Sequence, residues 1–245
     1  MKRNCLVLMM FFCLVFILPA DASAGKGTLA VSLGISPCIE EMLDFFEASG
    51  GGSLALVKET TGILARQIDS GAPYDLLIAA DPEWPDWLIS RGNGNSSRIC
   101  AWNRLSIWSE NPVDENDLPA LVIAIPNPDF TSYGRKAMEF LSQMGLWEKG
   151  IENGQVLLCG SAPQCVATVR AGTAQVALIP LPTANLAGGY SRVIDRVDSL
   201  PVVVILVNED PPEEILQFSS FLFMREATKI WSKWGFEPFA GGVVH

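Results

Sequence analysis

Histidine is all but missing from this sequence: the single one is His245, at the end of 245 residues. Without it a Ser-His-Asp hydrolase loses its usual base, and a zinc site loses a common ligand. Cysteines never occur as Cys-x-x-Cys, which removes the zinc-ribbon and thioredoxin-like readings. Basic residues are scarce too, 17 Lys and Arg against 27 Asp and Glu, for a formal net charge of −10. Such a surface repels nucleic acid and anionic lipid. It also repels a small anion at long range, so an anion site has to be built locally from backbone N–H groups and hydroxyls. No internal repeat, low-complexity tract or long linker is present. Catalytic furniture is thus sparse, and no enzyme, cofactor or metal ligated by side chains is expected; nothing suggests a coiled coil or an exposed edge, so a monomer is expected.

One long apolar run does occur, over residues 5–18, preceded by Lys2 and Arg3 and followed by Pro19 and Ala22-Ser23-Ala24. This is the three-part layout of a secretory signal over residues 1–24, cleaved after Ala24. The run is shorter than the roughly 20 residues a spanning helix needs. Met10, Phe11 and Phe12 precede Cys13 where a lipid-modified cysteine has Leu-small-small, so a free periplasmic protein is expected. The mature chain would carry 15 basic and 26 acidic residues and keep Cys38, Cys100, Cys159 and Cys165. Cys159 and Cys165 enclose a short Gly-Ser-Ala-Pro-Gln loop. In an oxidising compartment they are spaced to pair, with buried free thiols as the alternative.

Strand-like runs alternate with amphipathic helical patterns, which argues for an α/β protein with a largely parallel sheet. Strands are expected over residues 28–33, 53–58 and 74–79. Ile39, Met42, Leu43 and Phe46 mark one helix between them, and Ile63, Leu64 and Ile68 the next. Residues 83–90 read as a short helix whose Trp84 and Trp87 cover the lobe, Asp81-Pro82 as a turn or cap, and 95–97 as a loop. A second set has strands over 121–125, 155–159 and 174–179. Its helices carry Ala137, Met138, Leu141 and Met144, then Val166 and Val169. A strand over 202–207 and one or two helices over 215–234 close the chain. Two such sets imply two α/β lobes joined by crossing strands at 105–109 and 202–207. Residues 25–106 with 203–245 would form the first lobe and 107–202 the second. A ligand then belongs in the cleft between them, where strand C-termini and helix N-termini converge.

Four of the expected helices open with a small hydroxyl residue beside Gly or Pro: Ser36-Pro37, Thr61-Gly62, Ser132-Tyr133-Gly134 and Ser161-Ala162-Pro163. A helix N-terminus exposes free N–H groups and about half a positive charge, so it holds an anion without Lys or Arg. Singly, each is an ordinary cap followed by a first-turn residue. Four in one two-lobed chain point to a shared site.

The stretch Thr61-Gly62-Ile63-Leu64-Ala65-Arg66-Gln67-Ile68-Asp69-Ser70-Gly71-Ala72-Pro73-Tyr74-Asp75-Leu76, continuing into Ile78-Ala79-Ala80-Asp81, resembles the periplasmic molybdate-binding proteins. In that family it runs Ser-Ser-x-x-Leu-Ala-x-Gln-Ile-x-x-Gly-Ala-Pro-x-Asp. Met144-Gly145-Leu146-Trp147, Val169-Arg170-Ala171-Gly172 and Trp234-Gly235-Phe236 extend the similarity over nearly the whole mature chain. The resemblance implies the two-lobed periplasmic binding protein fold (type II-like). It also implies capture of molybdate or tungstate for the membrane permease of an ABC importer. The oxyanion would be held by hydroxyls and N–H groups. Thr61 falls at a family serine, with Thr60 beside it. The family serine of the first loop falls at Gly34, with hydroxyls nearby at Ser32 and Ser36. A family Pro-Ala-Gly falls at Ser132-Tyr133-Gly134, and another backbone contact at Ser161 and Ala162. A tyrosine that often completes the site is replaced by Pro180. With donors changed at Gly34 and Pro180, a different oxyanion or a small organic acid is the alternative ligand, with Arg135 and Tyr133 as its clamp.

Overall fold

The computed structural model describes residues 27–94 and 96–239, so the expected signal sequence, Asn95 and His245 lie outside the described residues. The chain begins β1 (Thr28–Ser32), α1 (Ser36–Ala48), β2 (Ala55–Glu59), α2 (Thr61–Asp69), β3 (Leu76–Ala79), α3 (Glu83–Ser90) and β4 (Ser97–Asn103). There follow β5 (Leu105–Ser109), β6 (Ile123–Pro126), α4 (Ser132–Gln143), α5 (Trp147–Glu152), β7 (Val156–Cys159), α6 (Ala162–Arg170), β8 (Val176–Pro180), α7 (Leu181–Ala187) and β9 (Tyr190–Val193). It closes with β10 (Leu200–Leu206), α8 (Glu213–Phe221), α9 (Arg225–Lys233) and β11 (Glu237–Pro238).

Two sheets result, ordered β11-β4-β10-β3-β1-β2 and β7-β6-β8-β5-β9. Each has a parallel centre made by strand-helix-strand units: β1 pairs with β2 and β3, and β6 with β7 and β8. Such strands are covered on both faces, and Leu29, Ala30 and Val31 are accordingly without exposure. The sheets are less parallel than expected. β10 runs antiparallel to β3 and β4, and β5 antiparallel to β8 and β9. These strands arrive from the other lobe, with no returning helix to restore the parallel direction.

Arg104 alone separates β4 of the first sheet from β5 of the second, and the return runs through residues 194–199. The changes of sheet thus fall just before the expected strand at 105–109 and before β10. Apolar runs mark a strand but not the sheet it joins. Ser97, read as loop, opens β4, which lies inside the first sheet between β10 and β11.

The C-terminal helices return to the first lobe. Phe46 of α1 meets Phe218 of α8 edge-on at 5.3 Å, and Glu41 accepts from Lys233 Nζ and Trp234 Nε1, both at 2.8 Å. The second lobe packs Ala137, Phe140 and Leu141 of α4 under its sheet, and buries Trp108 wholly. Cys38, Cys100, Cys159 and Cys165 are buried free thiols. Among the described residues no helix is long and apolar enough to cross a membrane.

Candidate functional site

Parallel strands end where the next helices begin, so the C-terminal ends of β1, β2, β6 and β7 bring the loop before α1 and the first residues of α2, α4 and α6 to one cleft. Its cavity is about 30 Å³. That is room for a small ion or a few waters.

Each helix leaves backbone donors facing this space, because first-turn N–H groups have no intrahelical carbonyl. At α2, Thr60 is the cap; its carbonyl takes the N–H groups of Ile63 and Leu64, and that of Thr61 has no partner among the described residues. At α4 the cap is Thr131, whose Oγ1 accepts from Gly134 N at 3.0 Å and donates to the Asn127 carbonyl at 3.0 Å. The N–H groups of Ser132 and Tyr133 stay unpaired among the described residues. Gly134 has to be glycine: a Cβ there would lie 2.7 Å from backbone atoms of Asn127 and Pro128. At α6, Ser161 Oγ accepts from Gln164 N at 3.4 Å and Pro163 has no N–H, so Ala162 offers the free donor. Before α1, Leu33 and Ile35 donate to the carbonyls of Glu59 and Ser32, while Gly34 N–H has no partner among the described residues.

Ser32, Gly34, Thr60 and Thr61 line the cavity from the first lobe, and Ser132, Tyr133, Ser161 and Ala162 from the second. Ser36 does not. It is the first helical residue after Ile35, with its hydroxyl donating to the Leu33 carbonyl at 3.1 Å. At α1, α2 and α4 the cap precedes the residue read as such from sequence; only Ser161 is a cap itself. Leu33, Ala80, Pro126, Phe130 and Thr131 complete the wall. Sequence reasoning passed over Thr131, though a threonine ahead of a Ser-Tyr-Gly helix start is itself a cap signal.

The hydroxyls divide into free and engaged. Thr60 Oγ1 is fully buried with no hydrogen-bond partner, and those of Ser32 and Thr61 are unpaired among the described residues. Tyr133 Oη accepts from Asn103 Nδ2 at 2.5 Å, and burial pushes its pKa upward, so the phenol stays neutral. Ser132 Oγ donates to Asp81 Oδ2, whose other oxygen accepts the Trp84 N–H at 3.3 Å. Asp81, read from sequence as a turn or cap, precedes Pro82, the cap of α3, and ties the first lobe to the second. Burial raises its pKa, opposed by the bonds from Ser132 and Trp84. Beside it Arg135 pairs with Glu83 at 2.5 Å, also across the cleft, and is absent from the cavity wall.

No lining residue carries a formal charge. Among the described residues no three His, Cys, Asp or Glu side chains group to hold a metal. The arrangement offers neutral hydrogen-bond donors from both lobes to a compact acceptor.

A family model of bacterial extracellular solute-binding proteins matches residues 28–237. A molybdate-binding protein of Azotobacter vinelandii is 29% identical over 175 residues, 66% of this chain and 68% of that one. The solved structure of the periplasmic molybdate-binding protein from Azotobacter vinelandii superposes with a TM-score of 0.79 at 21% identity, over 86% of this chain and 98% of that one. The sulfate-binding protein SubI of Mycobacterium tuberculosis follows with a TM-score of 0.70 at 17% identity, over 89% and 88%. By the family match over residues 28–237, with two mixed α/β sheets in the periplasmic binding protein arrangement, this chain belongs to the bacterial extracellular solute-binding proteins.

Proposed function

We propose that the cleft captures a tetrahedral oxyanion, molybdate or tungstate, in the periplasm and delivers it to the permease of an ABC importer. The observation that carries this reading is the meeting of unpaired N–H groups at Gly34, Thr61, Tyr133 and Ala162 in a cavity of about 30 Å³ without a charged side chain. A dianion with four equivalent acceptors satisfies donors arriving from several directions, and the N-termini of α2, α4 and α6 offset its charge. The buried, partnerless hydroxyl of Thr60 supplies a further donor. Capture proceeds by closing the lobes around the ion.

A small organic acid is the second reading, favoured by the loss of a hydroxyl at Gly34 and Pro180. Its expected clamp is weakened, since Arg135 is held by Glu83 and the Tyr133 hydroxyl by Asn103.

Thermal unfolding of residues 25–245 against molybdate, tungstate, sulfate, phosphate and small carboxylates separates these readings. A ligand at 100 times its Kd adds about 2.7 kcal/mol, several degrees for a protein of this size. A shift with molybdate or tungstate and none with sulfate is expected, and it should survive Arg135→Ala. A shift with carboxylates alone, lost in that variant, would establish the organic acid instead.

A further inference from the structure

Cys159 ends β7 and Cys165 lies in the first turns of α6, so the two bracket residues 160–164, which include Ser161 and Ala162 of the cavity wall. The two side chains are neighbours: both lie in one buried cluster of the second lobe, and Cys159 Sγ is 3.5 Å from the hydroxyl of Thr168, one turn along α6 from Cys165. Cys165 is wholly buried, whereas Cys159 keeps 9% exposure.

Hydrogen bonding from Cys165 brings the pKa of Cys159 down to about 6, against the effect of burial. The other two cysteines differ. Burial drives the Cys38 thiol strongly upward and that of Cys100 to about 12. Reactivity follows the thiolate, and the lowered pKa favours that form at Cys159.

We propose that Cys159 and Cys165 form a reversible disulfide that fixes the Ser161-Ala162 loop of the cleft. The oxidant is another disulfide, either a small molecule such as oxidised glutathione or the active disulfide of a thiol oxidoreductase, as an extracellular compartment supplies. The Cys159 thiolate attacks one sulfur of that disulfide, breaks its S–S bond and expels one thiolate. Cys165 then gives up its proton and attacks Cys159 Sγ, expelling the second. The protein loses two electrons and its thiol protons, and the oxidant leaves as two thiols. Cys159 is the attacking sulfur because it is the less buried of the two and the one whose ionised form is favoured, and Cys165 resolves the mixed disulfide.

The inference does not depend on which ligand the cleft takes. Residues 25–245, fully reduced, would be equilibrated with glutathione redox mixtures, trapped with an alkylating agent and mapped by peptide mass. Cys159 and Cys165 should be joined within one chain, with Cys38 and Cys100 alkylated only after unfolding. Cys165→Ser should accumulate glutathione on Cys159 instead. Hydrogen exchange at residues 160–164 should be about tenfold slower in the oxidised form. Separate alkylation of Cys159 and Cys165 at every redox ratio would overturn the proposal. So would equal exchange of the loop in both forms, since the bond would then fix nothing. A failure to bind molybdate would leave both readouts intact.

Discussion

A serine at position 34 should strengthen oxyanion binding. Gly34 is not among the glycines with a left-handed backbone, so a side chain there brings no strain. Its Cβ would lie 3.7 Å from the Pro180 ring and 3.8 Å from Tyr133 Cε2, ordinary van der Waals distances. The added hydroxyl would sit on the wall where the free Gly34 N–H lies. One hydrogen bond to a charged acceptor contributes about 1.5–3 kcal/mol, so Kd for molybdate should fall by roughly 10- to 150-fold. Restricting the unfolded chain adds about 0.4–1 kcal/mol to stability, so the ligand-free Tm should hold or rise. Titration calorimetry on wild type and Gly34→Ser, beside ligand-free unfolding curves, measures both. An unchanged or weaker Kd with an intact Tm would mean that no anion sits within reach of position 34, and the donor geometry argued above would fall.

Thr60→Val should stabilise the empty protein while weakening the loaded one. It removes a buried partnerless hydroxyl that costs about 1–3 kcal/mol, so ligand-free Tm should rise as molybdate affinity drops. Gly134→Ala should do the reverse of repair: its Cβ meets backbone on the Pro126-to-Pro128 turn. α4 would have to back away with its Ser132 and Tyr133 donors, and molybdate affinity in calorimetry should drop at least about tenfold for one lost bond. Asp81→Asn tests the buried carboxyl. Because burial raises the Asp81 pKa, the stability linked to its protonated form is lost as pH rises through that value. The asparagine variant should therefore gain on wild type from acid to neutral pH in denaturant titrations. At neutral pH it should also bind the dianion more tightly, a negative charge behind Ser132 having gone.

Much of this was legible in the chain. The helical stripe of Ile63, Leu64 and Ile68 and the buried runs before and after it are local signals, and α2 stands where they put it. The four helix starts were found as well, but the caps at Ile35, Thr60 and Thr131 were offset by one, because a cap is defined by backbone angles that no residue type dictates. β4 went unread. Ser97-Arg98-Ile99-Cys100-Ala101-Trp102-Asn103 neither alternates nor stays apolar, and only its neighbours β10 and β11 make it a strand. Likewise α7 and β9, short and seated against β5, draw their stability from tertiary contact rather than periodicity. The bonds from Ser132 to Asp81 and from Asn103 to Tyr133 join residues 51 and 30 positions apart. Nothing in the pattern of either segment announces its partner.

The division of donors between the two sheets bears on how a ligand leaves. Gly34, Thr60 and Thr61 belong to one body, and Ser132, Tyr133 and Ala162 to the other. Neither body alone can coordinate an ion on all sides, so retention behaves as a logical conjunction of two half-sites. If the cleft holds an oxyanion as proposed, a partner that gripped the two lobes and turned them apart about Arg104 and residues 194–199, where the chain changes sheet, would discharge it without touching it. Mechanical work at the outer surface would then become a change of affinity at the centre, with no competitor, proton or counter-ion needed to prise the ion loose.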